Sequence, residues 1–224
     1  MRVAVADDSG IFRSGLTTLL SIAGIDVTAD EATGAALLRE VESDCPDAVV
    51  LDIRMAPTFT DEGLATAEVL RRRYPDLGVL VLSTYSETAY AARLLAASSR
   101  SVGYLLKDRV ADLQTLTDAL TRIVAGECVV DPDIIVRLLE QHRVASKLGT
   151  FSGRERDILR LMAEGRSNSR IGTELFISTK TVEAHVAAVF SKLGLYPTSH
   201  DNRRVLAVLS WLRANGEISG SGTA

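Results

Sequence analysis

Three carboxylates, one hydroxyl and one ammonium stand at the ends of short apolar runs in this 224-residue chain. Asp7 and Asp8 follow Val3-Ala4-Val5-Ala6, and Asp52 follows Ala48-Val49-Val50-Leu51. Ser83 ends Val79-Leu80-Val81-Leu82, and Lys107 ends Val102-Gly103-Tyr104-Leu105-Leu106. As parallel strands of one sheet, these runs would bring all five groups to its carboxyl edge, where open α/β sheets bind ligands. Mg²⁺ takes oxygen ligands and keeps several waters, so Asp7, Asp8 and Asp52 with a phosphate oxygen would satisfy it. Phosphoryl transfer then needs an aligned nucleophile and compensation for charge on the equatorial oxygens. Asp52, on a central strand, is the candidate nucleophile. Lys107 would pair with one phosphoryl oxygen and Ser83 would hydrogen-bond another. A strand-ending carboxylate alone is more often a cap or loop residue; the specific signal is all five positions in order.

The elements that must position them alternate through residue 125. Strands are predicted near 3–6, 25–29, 47–51, 78–82 and 102–106. Between them lie helical faces such as Ile11, Phe12, Leu16, Leu19 and Leu20, or Leu113, Leu116, Leu120, Ile123 and Val124. Five βα units predict a doubly wound, five-stranded parallel α/β sheet of flavodoxin-like type, with helices on both faces. Near-continuous apolar strands fit burial on both sides.

Composition fits a water-soluble globular chain: 46% hydrophobic, 24% charged, net charge −4. Cys45 and Cys128 lack metal-ligand spacing and read as reduced thiols. The N-terminus reaches acids too early for a secretory signal, and no apolar stretch would span a bilayer. The expected compartment is the cytoplasm, with no membrane partner. Charge is uneven along the chain: residues 1–126 hold 12 Lys/Arg against 18 Asp/Glu, residues 151–224 hold 10 against 7. That asymmetry suits a cation site in the first part and a polyanion in the second.

The predicted domains are 1–126, a linker 127–150 with a short helix from Pro132 to about His142, a second domain 151–215, and a flexible tail 216–224. No strand is evident after 151. Ser152-Gly153-Arg154-Glu155 has capping-box spacing. Helices are then expected to about Gly165, over 168–176, over 179–193 after Ser178, and over 203–214. Four helices with a tight turn predict an all-α helix-turn-helix domain. In the third helix Val182, Val186, Val189 and Leu193 form a packing stripe. Lys180, Thr181, Ala184, His185, Ala188 and Lys192 form a polar face with small residues, as a helix in a DNA major groove requires.

The acid pair Asp7-Asp8, Asp52 followed by Ile53-Arg54-Met55, Ser83-Thr84, and Gly103-Tyr104-Leu105-Leu106-Lys107-Asp108 resemble the receiver domain of two-component response regulators. Phe151-Ser152-Gly153-Arg154-Glu155-Arg156, Met162-Ala163-Glu164-Gly165-Arg166-Ser167-Asn168 and Lys180-Thr181-Val182-Glu183-Ala184-His185 with Lys192-Leu193-Gly194 are similar to the LuxR-type helix-turn-helix. Over about residues 1–214 the chain resembles the NarL/FixJ family. The resemblance implies a transcription factor whose Asp52 is phosphorylated by a sensor histidine kinase, with Mg²⁺ on Asp7, Asp8, Asp52 and the Arg54 carbonyl. It implies that Tyr104 reorients with Ser83 and Lys107, and that phosphorylation favours a homodimer on double-stranded DNA. Lys180, Thr181, Val182 and His185 would approach bases or backbone, and Lys192 a phosphate.

Some positions depart from the family pattern. The loops after Asp52 and before Val102 are long, Ser169 replaces a common Lys, and Gly172 stands where Ala is usual, which predicts a slightly looser helix. An enzymatic alternative, an aspartyl-phosphate phosphatase of the haloacid dehalogenase type, needs a second carboxylate two residues after the nucleophile. Arg54 occupies that place, so no enzyme is expected. A further alternative keeps DNA binding but makes the first domain a phosphorylation-independent dimerisation or ligand-sensing module.

Overall fold

In the computed structural model, residues 1–84, 87–97, 99–197 and 202–214 are described. The tail expected at 216–224 lies outside them. The chain divides into two compact units, Met1–Ile135 and Val136–Ala224.

The first unit is a parallel sheet flanked by helices. Its strands are β1 (Arg2–Ala6), β2 (Asp26–Glu31), β3 (Ala48–Asp52), β4 (Gly78–Ser83), β5 (Val102–Leu106) and β6 (Cys128–Val130). Helices α1 (Gly10–Ile22), α2 (Gly34–Ser43), α3 (Glu62–Arg73), α4 (Thr88–Ala97) and α5 (Leu113–Val124) connect them, with a 3-10 turn at Arg109–Ala111. The order is β2-β1-β3-β4-β5-β6. The strand order reverses at β1, so a crevice opens at the carboxyl ends of β1 and β3. Register makes the ends coincide: Ala6 pairs with Leu51, Asp52 with Leu82, and Ser83 with Leu106. Val3, Val5, Val50, Leu80, Leu116, Leu120 and Ile123 form the core. Strand β3 is buried along its whole length, as its unbroken apolar run requires.

Where five strands were expected, the sheet among the described residues has six. Cys128–Val130 falls in the segment read as linker, and it pairs in parallel with β5, Gly103 against Val129. Three residues before a proline carry little strand signal of their own; the edge of β5 supplies the hydrogen bonds. The Asp131 amide then donates to the Tyr104 carbonyl at 2.8 Å, and the Asp131 side chain is fully buried. Helix α6 follows over Pro132–Gly149, a full two turns longer than the sequence suggested. Pro132 sits in its first turn, where a missing N–H costs nothing.

The second unit is helical: α7 (Gly153–Ala163), α8 (Asn168–Leu175), α9 (Thr179–Leu193) and α10 (Arg203–Ala214). The capping box forms as expected, Ser152 accepting from the Glu155 amide and Glu155 from the Ser152 amide. Ser167 and Ser178 cap α8 and α9 by accepting from the Arg170 and Thr181 amides, and Gly194 ends α9 in the left-handed region. Ile158, Leu159, Ile171, Val182, Val189, Leu193 and Ala207 build the core. A Cβ on Gly172 would stand 2.8 Å from the Ile177 carbonyl oxygen. The missing methyl therefore lets the turn after α8 close tightly, where the sequence had suggested a looser helix.

Candidate functional site: an acidic crevice and a polar helix face

The crevice collects the groups that the strand ends promised. Ligand oxygens of Asp7, Asp8 and Asp52 lie within 4.8 Å of one another. Asp7 and Asp52 are buried and Asp8 is exposed. Lys107 Nζ reaches across from β5 to Asp7 Oδ2 at 2.6 Å and to Asp52 Oδ1 at 3.0 Å. Three clustered acids with one ammonium keep a net negative charge, which suits a divalent cation with open oxygen positions.

Electrostatics follow from that packing. Burial pushes the Asp52 carboxyl above its ordinary value, Lys107 pulls it back, and the charges of Asp7 and Asp8 push it up again. Burial acts to lower the Lys107 pKa, but its hydrogen bonds to Asp7 and Asp52 outweigh this and the net shift is upward. The ammonium is therefore fixed as a cation.

The first turn of α1 closes one side. The Ser9 amide donates to Asp7 Oδ1 at 2.9 Å, which turns the acid pair into the helix. Arg13 donates from Nη1 to the Asp7 carbonyl at 2.5 Å and pairs with Asp30 through Nε. The Phe12 ring lies under the ammonium, its centroid 4.4 Å from Lys107 Nζ. Neither Phe12 nor Arg13 was singled out from the sequence. Helical phase placed Phe12 on an apolar face without showing which cation that face meets.

On the far side, Ser83 is buried at the end of β4, and the Lys107 amide donates to its carbonyl at 2.8 Å. Tyr104 is fully buried, its hydroxyl donating to the Glu87 carbonyl at 3.3 Å. Burial raises the phenol to about 12 against a hydrogen bond with Ser83 that pulls the other way. The Arg54 side chain forms an ion pair with Glu87 just ahead of α4. Tyr104, Ser83 and Arg54 thus converge on the segment between β4 and α4.

The long loop after Asp52 folds on itself. The Thr58 and Thr60 amides each donate to the Glu62 carboxylate at 2.9 Å. Burial pushes that carboxyl up, but the Thr58 hydroxyl and nearby backbone amides outweigh it and hold it at about 2. Gly63 then packs on the β3 end: its amide donates to the Ile53 carbonyl at 2.9 Å, and a Cβ there would lie 1.7 Å from the Asp52 carbonyl oxygen.

In the second unit, α9 presents Lys180 and Thr181 to solvent and holds His185 half-buried. The Thr181 hydroxyl also lies 2.8 Å from that of Ser178, within the cap. Two of the residues expected near DNA also make contacts within the unit. Val182 is fully buried and packs with Val189 and Leu193 in the core. Lys192 donates to Glu155 Oε2 at 2.6 Å and to the Thr150 carbonyl at 3.1 Å. Its side chain stays exposed, and its partner is too distant in sequence for periodicity to reveal. Glu183, Ala184, Ala187 and Ser191 are also exposed along this helix, and Glu183, quoted in the motif, was given no DNA-facing role from the sequence. None of the helices among the described residues is long and apolar enough to cross a membrane.

Comparison with known proteins gives two family matches. Residues 3–121 match the response regulator receiver domain, and residues 149–210 match the bacterial regulatory proteins of the luxR family. The chain is 30% identical over 238 residues to the transcriptional regulatory protein DegU of Brevibacillus brevis, covering 97% of this chain and 95% of that one. It is also 30% identical over 205 residues to the oxygen regulatory protein NreC of Staphylococcus haemolyticus, covering 87% and 92%. Among solved structures it is similar to RcsB dimers bound to two parallel DNAs, with a TM-score of 0.58, 25% identity and coverage of 96% and 98%. It is likewise similar to RcsB of Salmonella enterica serovar Typhimurium on the rprA promoter with a phosphomimetic BeF3⁻, with a TM-score of 0.53, 26% identity and coverage of 96% and 99%.

Proposed function

We propose, from the premise that the chain belongs to the NarL/FixJ family of response regulators with a receiver domain and a LuxR-type DNA-binding domain, that a phosphoryl group on Asp52 governs its grip on DNA. The observation that carries this reading is the Asp7–Asp8–Asp52 cluster with Lys107 bridging two of its members. Asp7, Asp8, Asp52 and the Arg54 carbonyl would hold Mg²⁺. The ion would screen the carboxylates from each other and neutralise charge on the transferred group.

An Asp52 oxygen attacks the phosphorus of a phosphohistidine on a sensor kinase. The P–N bond breaks, and the imidazole leaves and takes up a proton. Lys107 then pairs with a phosphoryl oxygen in place of Asp52 Oδ1, and the Ser83 hydroxyl turns to another. Because Ser83 also hydrogen-bonds Tyr104, that turn frees or redirects the phenol and with it the segment at Glu87. The phosphoryl group acts through the difference in stability between two receiver states.

For DNA, the residues that fit a groove-facing role are Lys180, Thr181 and His185, with Glu183, Ala184 and Ala187 beside them. A homodimer on paired half-sites is the expected assembly, as RcsB forms dimers on DNA. The cytoplasm is the compartment that suits a kinase-fed DNA-binding regulator. On this reading the functional parts are a receiver extended through β6, helix α6 as the connection, and the DNA-binding helices after Thr150.

Labelled acetyl phosphate with Mg²⁺ tests the acceptor. Wild type takes label, Asp52→Asn takes none, and phosphorylated wild type binds operator DNA with altered affinity. Equal labelling of both proteins rules out Asp52 as acceptor. Equal DNA affinity with and without phosphoryl group favours a phosphorylation-independent receiver.

A further inference from the structure

We propose that Phe12 is a positioning residue for phosphoryl transfer, its ring face holding the Lys107 ammonium at the reacting edge; this rests on the reading of Asp52 as acceptor. Lysine carries a compact, strongly hydrated charge on a flexible four-carbon stem, and nothing in that stem aims it. Among the described residues Lys107 Nζ has three partners: Asp7 Oδ2 at 2.6 Å, Asp52 Oδ1 at 3.0 Å, and the Phe12 ring centroid at 4.4 Å. The ring presents its electron-rich face to a mostly buried cation, the arrangement in which the attraction is strongest.

The three partners differ in what the reaction does to them. Asp52 loses its free charge when it becomes an acyl phosphate. Asp7 would also serve Mg²⁺. The ring changes with neither event, so it holds the ammonium near the crevice while the carboxylate bonds are exchanged for a phosphoryl oxygen. Its own place is fixed by α1: Ser9 caps the Phe12 amide, and Arg13 ties the helix to the Asp7 carbonyl. Phe12 is partly buried against the receiver core, whereas its neighbour Ile11 is 91% exposed. The packing alone would be served by any apolar side chain of similar size; the ammonium is served by a π face.

That difference supplies the test in the full-length protein. Phe12→Leu keeps apolar bulk and removes the face, and Phe12→Tyr keeps both. With acetyl phosphate and saturating Mg²⁺, Phe12→Leu is expected to slow Asp52 phosphorylation by roughly three- to tenfold, and Phe12→Tyr to stay within about twofold of wild type. Half-saturation by Mg²⁺ should stay within about twofold of wild type, since the acidic ligands and the Lys107 charge are both retained. The ε-methylene protons of Lys107, shielded by the ring in wild type, should shift downfield in Phe12→Leu and stay in Phe12→Tyr. Leu and Tyr variants slowed alike, a Leu variant as fast as wild type, or an unshifted Lys107 resonance each overturn the ring's role. A wild type that takes no phosphoryl group on Asp52 overturns the functional reading as well, which separates the two failures.

Discussion

Gly63 lies so close to Asp52 that a Cβ at position 63 would stand 1.7 Å from the Asp52 carbonyl oxygen. The start of α3 is thereby pressed onto the strand end that carries the acceptor, with Gly63 N–H donating to the Ile53 carbonyl. Gly63→Ala must push either the helix or the strand end away. It is expected to cost about 1–3 kcal/mol of receiver stability and to slow acetyl-phosphate labelling more than tenfold at temperatures where the protein is still folded. Thermal melts and labelling rates on the same sample check this; a labelling rate equal to wild type would show that the crevice tolerates the shift.

Lys107 neutralises part of the charge that a divalent cation would also neutralise. Replacing it by Met leaves Asp7 and Asp52 without their shared cation and makes the crevice more negative. Mg²⁺ should then bind on the order of tenfold more tightly, by Coulomb attraction at short range, while phosphorylation slows. Titration of Mg²⁺ by NMR of the two proteins reads the first effect. Weaker binding in Lys107→Met would contradict the electrostatic picture.

Glu155 ties α7 to α9 through Lys192. Burial raises its carboxyl, but Lys192 and the Ser152 cap outweigh that and lower it below the ordinary value. A carboxylate with a depressed folded pKa contributes stability above its unfolded value, 4.5, and loses it as pH falls through the folded one. Glu155→Gln should destabilise the second unit at neutral pH by about 1–2 kcal/mol, and the gap to wild type should close as the pH drops below that value. Denaturation at a series of pH values measures it, and a gap independent of pH would mean that the charge is not the source.

The two lysines of α9 should behave differently toward DNA. Both are exposed, but Lys192 is paired with Glu155 and hydrogen-bonds the Thr150 carbonyl. Lys180→Ala is expected to weaken operator binding and reduce the salt slope by about one. Lys192→Met should mainly lower the melting temperature and leave the slope close to wild type. Fluorescence anisotropy over a salt series distinguishes them; a slope change for Lys192 alone would reverse the assignment.

The strand ends were readable because each apolar run stops at the residue that carries the chemistry, as at Leu51-Asp52 and Leu106-Lys107. Side-chain partners far apart in sequence were not. Nothing in the spacing of Lys192 points to Glu155, and nothing in that of Lys107 selects Phe12 over another apolar neighbour. Val182 was legible in one respect: helical period puts its side chain in the core, and the structure buries it there. Strand β6 was missed, since Cys128-Val129-Val130 becomes a strand by borrowing the β5 edge.

That borrowed edge decides where the receiver can be cut. Asp131 and Ile134 are both fully buried, and Asp131 hydrogen-bonds the Tyr104 carbonyl and lies 3.5 Å from Arg109. A fragment terminated at Gly126 would carry a naked strand bordering Tyr104 and an uncapped hollow where Ile134 had been. Proteolytic excision that yields a well-behaved receiver should therefore nick beyond Ile135, and shorter pieces should self-associate through the bared β5 backbone.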